Sequence, residues 1–236
     1  MKTDLRTLRG LIIHRSSVRE KDRIIEAYTR EEGRVVFFAP GVRHVASKRA
    51  GHLETFMESK LTLARSKKGN VLSEARVINS FPELRSDYDR LSIAYEIIKL
   101  IRQYTAEGQH DSLLYDTVIS CINTCSKENP PIYLQDMVAT HVLRQIGGLP
   151  DLYFCTHCRA KLLPGKFSLK ASDRGFWCEK CEGKNDPALT EVVKLMRIFV
   201  KDSKKPQKLI VCNPNTLKRL RATIGKILHT QGGTVR

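Results

Sequence analysis

The chain has 236 residues, 41% of them hydrophobic, and its 41 Lys/Arg outnumber 25 Asp/Glu for a formal net charge of +16. That apolar content can bury a core and excludes a disordered tail, while the charge points to a polyanionic partner, nucleic acid before an anionic membrane surface. Seven Cys fit a closed disulfide framework poorly, the charged start is followed by no apolar signal core, and no apolar run approaches the ~20 residues of a spanning helix. A soluble protein of a reducing, cytoplasmic compartment is therefore expected, with no membrane partner.

Taken in chain order, residues 1–80 read as a small β domain. Strand-length apolar runs recur at Leu8–Ile13, Ile24–Tyr28, Val35–Ala39, Ser59–Arg65 and Val71–Ile78. Turn-like stretches separate them, at 15–21, 31–33, 40–41 and 67–70. In the fourth run Leu61 and Leu63 share one face, and Lys60 and Thr62 the other. Five short strands in about 80 residues suit a barrel of the OB type. The stretch 22–30 is short enough to be read as helical as well.

Phe81-Pro82 closes the β region, and residues 81–236 read as a helical domain. Ser86 or Asp87 can cap a first helix with Leu91, Ala94, Ile97, Ile98, Ile101 and Tyr104 on one face, and Gly108 ends the pattern. A second helix spans about 111–125, with Leu114, Val118, Cys121, Ile122 and Cys125 as its stripe, and Pro130-Pro131 breaks it. A third spans about 134–146 with Met137, Val138, His141, Val142 and Ile146, and ends at Gly147-Gly148. After a cysteine-bearing segment at 152–183, helices are expected at about 187–201 and 214–229. The fold class is thus α+β: a barrel, then helices with an embedded metal-binding segment.

That segment pairs Cys155-Thr-His-Cys158 with Cys178-Glu-Lys-Cys181 across 19 residues. Each CxxC lets the chain turn back so that both thiolates reach one ion, and two such knuckles complete a Zn²⁺ tetrahedron with Zn–S of ~2.3 Å. Four thiolates leave no open position for substrate or activated water, so the metal is expected to be structural. Arg159, Lys161 and Lys180 moderate the excess negative charge of such a site, and His157 is read as a surface residue. The alternative is two unrelated Cys pairs or redox motifs. His52-Leu53-Glu54 matches the HxE of zinc deaminases, but Phe154 and Trp177 stand where that signature needs Pro, so the match is taken as accidental. Cys121 and Cys125, four apart on a helix, read as core.

Net charge is uneven: +8 over residues 1–80, zero over 81–200 and +8 over 201–236. If the two ends meet in space they form one basic surface across a neutral body. Arg43, His44, Lys48 and Arg49 lie between Gly41 and Gly51, and with Arg30, Arg34 and the Lys67-Lys68 turn they are candidates for a phosphate-binding groove. The opposing reading is an ordinary solvated loop. Of Phe37, Phe38 and Phe56, which could stack on bases, at least two are expected in the core. Toward the C-terminus, Lys201, Lys204, Lys205 and Lys208 precede a last helix whose Leu217, Leu220, Ile224, Ile227 and Leu228 face inward. Its Lys218, Arg219, Arg221 and Lys226 form a second candidate contact. There is no GxxxxGK[ST] loop, GxSxG, HExxH or acidic cluster, so neither an enzyme nor a small-molecule substrate is expected.

Several ordered stretches carry a family resemblance: Gly10–His14 with Glu20–Arg23; Tyr28–Gly33; Ala39–Arg43; Ser80–Arg85 running on to Leu91; and Gly147–Asp151, Cys155/Cys158, Phe167-Ser168, Gly175 and Cys178/Cys181. Together they resemble the bacterial DNA repair and recombination mediator family RecO across nearly the whole chain. Pro40 stands where that family usually has Lys, which removes one expected phosphate contact.

The resemblance implies an OB-fold followed by a helical domain with a zinc ribbon. It implies binding of single- and double-stranded DNA and annealing of complementary strands. It further implies capture of the acidic C-terminal tail of single-stranded-DNA-binding protein (SSB), work with RecR to load RecA onto SSB-coated DNA in the RecF pathway, and a nucleoid-associated location. An acidic tail needs an apolar groove rimmed by basic groups, for which Arg144, Lys194 and Arg197 are candidates. Two other classes stay open: a zinc-ribbon RNA-binding or ribosome-associated protein, marked by preference for folded RNA, and a zinc or redox enzyme, marked by turnover without partners.

Overall fold

The computed structural model describes residues 4–18, 20–44, 47, 50–182, 184–202, 206 and 213–230. Five strands, β1 (Leu5–Ser17), β2 (Arg23–Thr29), β3 (Gly33–Ala39), β4 (Glu58–Ser66) and β5 (Gly69–Asn79), close into a barrel in the order β1-β2-β3-β5-β4. All pairings are antiparallel except the short parallel contact of β3 with β5. This is the OB-type barrel expected, and the ambiguous stretch 22–30 is strand β2 and its turn. Helical propensity lost there because β2 must supply hydrogen-bonding edges to both β1 and β3. Inside the barrel, alternate residues pack together: Ile25, Ala27, Val35, Phe37, Leu61 and Leu63 belong to one cluster.

A second cluster joins the outside of the barrel to the helices. Leu11, Ile13, Tyr28 and Phe56 of the barrel pack with Ala94, Ile97, Ile98 and Ile101 of α1 (Tyr88–Tyr104), and with Leu114, Tyr115 and Val118 of α2 (Ser112–Cys125). The same cluster continues through α3 (Leu134–Gln145), α5 (Leu189–Lys201) and α6 (Pro214–Thr230). Helix starts follow the side-chain chemistry: Asp87 accepts from the Arg90 N–H, and Asp111 from those of Leu113 and Leu114. Each such cap is worth about 1 kcal/mol. The helical stripes are buried as expected, Cys121, Cys125 and His141 included. Burial drives both buried thiols up, Cys125 to about 12, so they are poor nucleophiles at neutral pH. Among the described residues, no helix is long and apolar enough to cross a membrane.

Polar contacts lock barrel and helices together. Glu58, fully buried on β4, accepts from Arg9 Nε at 2.5 Å, from the Tyr115 hydroxyl at 3.0 Å and from the Asn79 amide. Arg30 holds Asp116 of α2 at 2.9 Å, and Arg102 of α1 holds Glu26 at 3.0 Å. Gly33 sits at φ 68°, and a Cβ there would lie 2.1 Å from the Gln109 carbonyl oxygen, so only glycine lets the β2–β3 turn meet the α1–α2 connection.

Candidate metal centre and basic surfaces

The two CxxC pairs converge. Their four Sγ atoms lie within 4.8 Å of one another, and the Cys158 and Cys178 sulfurs are 3.6 Å apart. A tetrahedron with ~2.3 Å metal–sulfur bonds needs sulfurs roughly 3.8 Å apart, so the four thiolates fit one ion. The first knuckle turns through Arg159 at φ 62°, whose N–H donates to the Cys155 carbonyl at 3.0 Å. The second is carried by the ribbon β6 (Phe167–Lys170) and β7 (Gly175–Cys178), followed by the single turn α4 (Glu179–Glu182). Thr156 N–H bonds the Phe176 carbonyl at 2.9 Å and joins the knuckles. A Cβ on Gly175 would fall 2.0 Å from Thr156 Oγ1, so that approach also requires glycine.

The sulfurs share protons: hydrogen bonding with Cys158 pushes the Cys181 thiol up to about 12, while Cys155 moves the other way. Burial works against a Cys155 thiolate, but the backbone N–H groups of Cys158, Cys178 and His157 outweigh it and bring that thiol down to about 6. Cys155 and Cys178 are buried, whereas Cys158 is exposed. Below the site, Leu162, Phe167 and Phe176 enter the main helical core. His157 is exposed, stacks on Trp177 at 4.7 Å and points Nδ1 to within 3.6 Å of Cys181 Sγ. The tripeptide His52-Leu53-Glu54 lies instead at the barrel, where Glu54 pairs with Arg15.

The candidate nucleic-acid contacts fall into two groups. Lys67 and Lys68, at the β4–β5 turn, and Arg43 are exposed, as is Lys218 on α6. Lys48 and Arg49 lie outside the described residues, as do Lys204, Lys205 and Lys208. The other cations serve internal partners. Arg30 bonds Asp116, and Arg34 reaches Glu26 at 3.4 Å and the Arg102 carbonyl at 2.6 Å. Arg219 bonds Asp186 at 3.1 Å. Arg221 grips Asp136 through Nε and Nη2, both at 3.0 Å, and also bonds the Ile132 carbonyl. Of the three aromatics, Phe37 and Phe56 are buried and Phe38 faces outward.

The candidate tail-binding cations each have a partner within the protein. Arg144 pairs with Asp111 at 3.4 Å, Lys194 with Glu191 at 2.7 Å, and Arg197 donates to the Leu152 carbonyl while lying over the Tyr153 ring at 4.3 Å. An apolar groove of about 240 Å³ does occur elsewhere, between α1, α3 and α6, lined by Leu100, Ala139, Ile224 and Leu228 and flanked by Arg221. Sequence periodicity placed each of these residues on its helix but held no signal that three helices would leave a gap between them.

Among the described residues, the barrel and α6 are seated on different helices. The barrel meets α1 and α2, whereas α6 packs on α3, α5 and the Ala171–Asp173 turn. Tyr95, Lys99 and Arg102 of α1 line a cleft beside the barrel, while its Glu96 and Leu100 line a groove beside α3 and α6.

The Arg221–Asp136 pair supports a stability prediction. Burial raises the Asp136 pKa more than Arg221 lowers it. A carboxyl raised in the fold favours folding below its unfolded value near 3.9, and that contribution is lost as pH rises through the folded value. Arg221→Ala should therefore cost about 1–2 kcal/mol at pH 7, half of the guanidinium being in water, and less in acid, where Asp136 is neutral. Urea denaturation at the two pH values checks this; a loss independent of pH would mean that packing of the Arg stem dominates.

Comparison with known proteins agrees with this architecture. The family model described as Recombination protein O N terminal matches residues 1–81, and that described as Recombination protein O C terminal matches residues 85–234. Curated relatives named DNA repair protein RecO include one from Halalkalibacterium halodurans, 25% identical over 223 residues, covering 93% of this chain and 85% of the relative. Another, from Desulforudis audaxviator, is 26% identical over 180 residues, covering 76% and 71%; one from Desulforamulus reducens is 28% identical over 174 residues, covering 74% and 68%. With both family models matched in order along an OB-type barrel and its helices, the chain belongs to the RecO family of DNA repair proteins.

Proposed function

We propose that this protein is a DNA-binding recombination mediator. In this reading it anneals complementary single strands and, with RecR, helps load RecA onto SSB-coated single-stranded DNA. The observation that carries it is an OB-type barrel with the exposed Lys67 and Lys68 at its β4–β5 turn, in a chain of net charge +16 that belongs to a family of DNA repair proteins. Residues 1–80 are the nucleic-acid-binding domain and 81–236 the helical one. Annealing requires no bond to be made or broken: cations on the protein neutralise phosphates of two strands, release their counterions and let the bases pair. Lys67, Lys68, Arg43 and Lys218 are the exposed contacts, and Lys48 and Arg49 complete the loop after β3. Arg30, Arg219 and Arg221 contribute mainly by holding the scaffold, since each has a carboxylate partner, whereas Arg34 shares Glu26 with Arg102.

The four cysteines hold one Zn²⁺ as a structural ion, which would fix the ribbon on the helical core. Capture of SSB's acidic tail would raise the protein's local concentration on covered DNA. The groove between α1, α3 and α6 suits that role better than the surfaces around Arg144, Lys194 and Arg197, because it joins apolar walls to a flanking Arg. The place of action is the bacterial cytoplasm, at the nucleoid.

Strand annealing tests the reading. Complementary strands coated with cognate SSB should anneal faster with the protein, less so at higher salt, and not when the SSB tail is removed. Lys48→Glu with Arg49→Glu, or Lys67→Glu with Lys68→Glu, should each weaken binding roughly tenfold or more at low salt and flatten its salt dependence by about two phosphate contacts. Unchanged affinity would remove that loop from the site, and preference for folded RNA would favour the ribosome-associated alternative.

A further inference from the structure

We propose that the cleft between the barrel and α1 is a single-strand-selective nucleic-acid site, distinct from the exposed loops that meet phosphates of either form. The proposal rests on the DNA-binding reading above and assigns to it a place where strand type is read. The cleft has a volume of about 520 Å³ and is lined by His14, Arg15 and Arg34 from the barrel and by Tyr95, Lys99 and Arg102 from α1. A cavity of that size takes one or two nucleotides, whereas a duplex roughly 20 Å across cannot enter; its major groove alone is about 12 Å wide.

Its charge is in excess. Glu54 serves both Arg15 and Arg23, and Glu26 serves both Arg34 and Arg102, so two carboxylates face four guanidiniums. Lys99 has its own partner in Glu96 at 3.4 Å. Of the four guanidiniums, those of Arg15, Arg34 and Arg102 line the cleft with only a shared carboxylate each, and among the described residues Arg34 Nε is buried with no hydrogen-bond partner, an arrangement that a phosphate at the cleft would complement. An irregularity in β1 between Ile12 and His14 shifts its register against β2, and His14 is exposed at the mouth.

The cleft also offers a stacking surface. Tyr95 is half-exposed, and its inner edge is fixed by an edge-on contact with Phe56 at 4.9 Å. A ring held by one neighbour and open on a face is a platform for a base, and base–aromatic stacking does not depend on which base is presented. The cleft borders the outward face of β3, through Arg34. Arg34, Val36 and Phe38 alternate along β3 on the same outward face, with Ile24 paired to Phe38. Arg34 borders the cleft and Phe38 lies about 13 Å away at ~3.3 Å per residue, a span of roughly two nucleotides of extended strand. A single strand crossing Phe38 would thus reach Tyr95 within a few nucleotides.

The test is fluorescence anisotropy with the full chain, labelled oligo-dT and a labelled duplex of equal length at one salt concentration. Tyr95→Ala should weaken oligo-dT binding about tenfold and leave duplex binding within twofold, Tyr95→Phe should restore it, and Lys99→Glu should shift it in the same direction as Tyr95→Ala. The melting temperature of each variant confirms that it is folded. Equal losses on both probes, or none on oligo-dT in a folded Tyr95→Ala variant, would overturn the cleft assignment alone. Failure of the unaltered protein to bind either probe would overturn the DNA reading with it.

Discussion

Replacing Cys155 and Cys178 with Ser is expected to abolish metal binding and to release the ribbon from the helical core. The four sulfurs come from two segments joined by the Thr156–Phe176 and Cys178–Cys155 hydrogen bonds, and the second segment rests on the β6–β7 pairing of four residues each. A two-stranded ribbon that short is not stable alone, so its order is expected to depend on an ion held by the four sulfurs and on Leu162, Phe167 and Phe176 buried beneath it. Structural zinc contributes about 10–16 kcal/mol of apparent binding energy in isolated finger peptides. Here part of the ribbon's order survives through packing, and a loss of at least about 3 kcal/mol is expected, lowering Tm by roughly 6–12 °C for a chain of this size. Metal analysis should find one zinc per chain in the unaltered protein and none in the variant. A zinc-free variant with unchanged Tm would contradict the structural role.

The second large effect lies at the barrel–helix junction. Glu58→Ala removes a fully buried carboxylate and strands Arg9, Tyr115 and Asn79, which all point at it. The Glu58 hydrogen bond raises the Arg9 pKa, and burial together with Glu58 raises that of Tyr115, so the carboxylate holds both groups in the protonated form. Breaking a buried pair from one side costs about 3–5 kcal/mol, because the partner's charge loses its compensation. Arg9 is half-exposed and can turn to water, which places the expected loss near the lower end. Arg30→Ala is the comparison: it opens the solvent-facing Arg30–Asp116 pair at the same junction and should cost far less than Glu58→Ala, because water screens that pair. Urea denaturation of both variants decides the matter; equal shifts would mean that Glu58 is replaceable by water and that the junction rests on its apolar contacts alone.

These two cases separate what could be read locally from what could not. Glu58 stands beside the alternating Leu61 and Leu63 at the outward parity, which in a lone barrel means solvent. It is buried because Tyr115, 57 residues later, closes over it. Arg221 and Arg30 show the converse. Each lay on a face whose pattern promised exposure, and each is engaged by a carboxylate from a distant element, Asp136 and Asp116. Charge counting located the basic ends, but pairing had to be known before a free cation could be told from a structural one.

By itself the sequence determined the five strands and the helical stripes, because both arise from short-range periodicity. It also determined the metal centre, because each CxxC brings its two ligands together within one turn. The tertiary structure decided which side chains remain available. It paired Arg30, Arg219 and Arg221 with carboxylates, made Arg34 share Glu26 with Arg102, and opened a cleft beside Tyr95 that no stretch of the chain encodes alone. The physical reason is range. Backbone geometry and apolar burial fix an element from its neighbours in sequence, whereas the fate of a charge depends on whichever opposite charge the completed fold brings within a few ångströms.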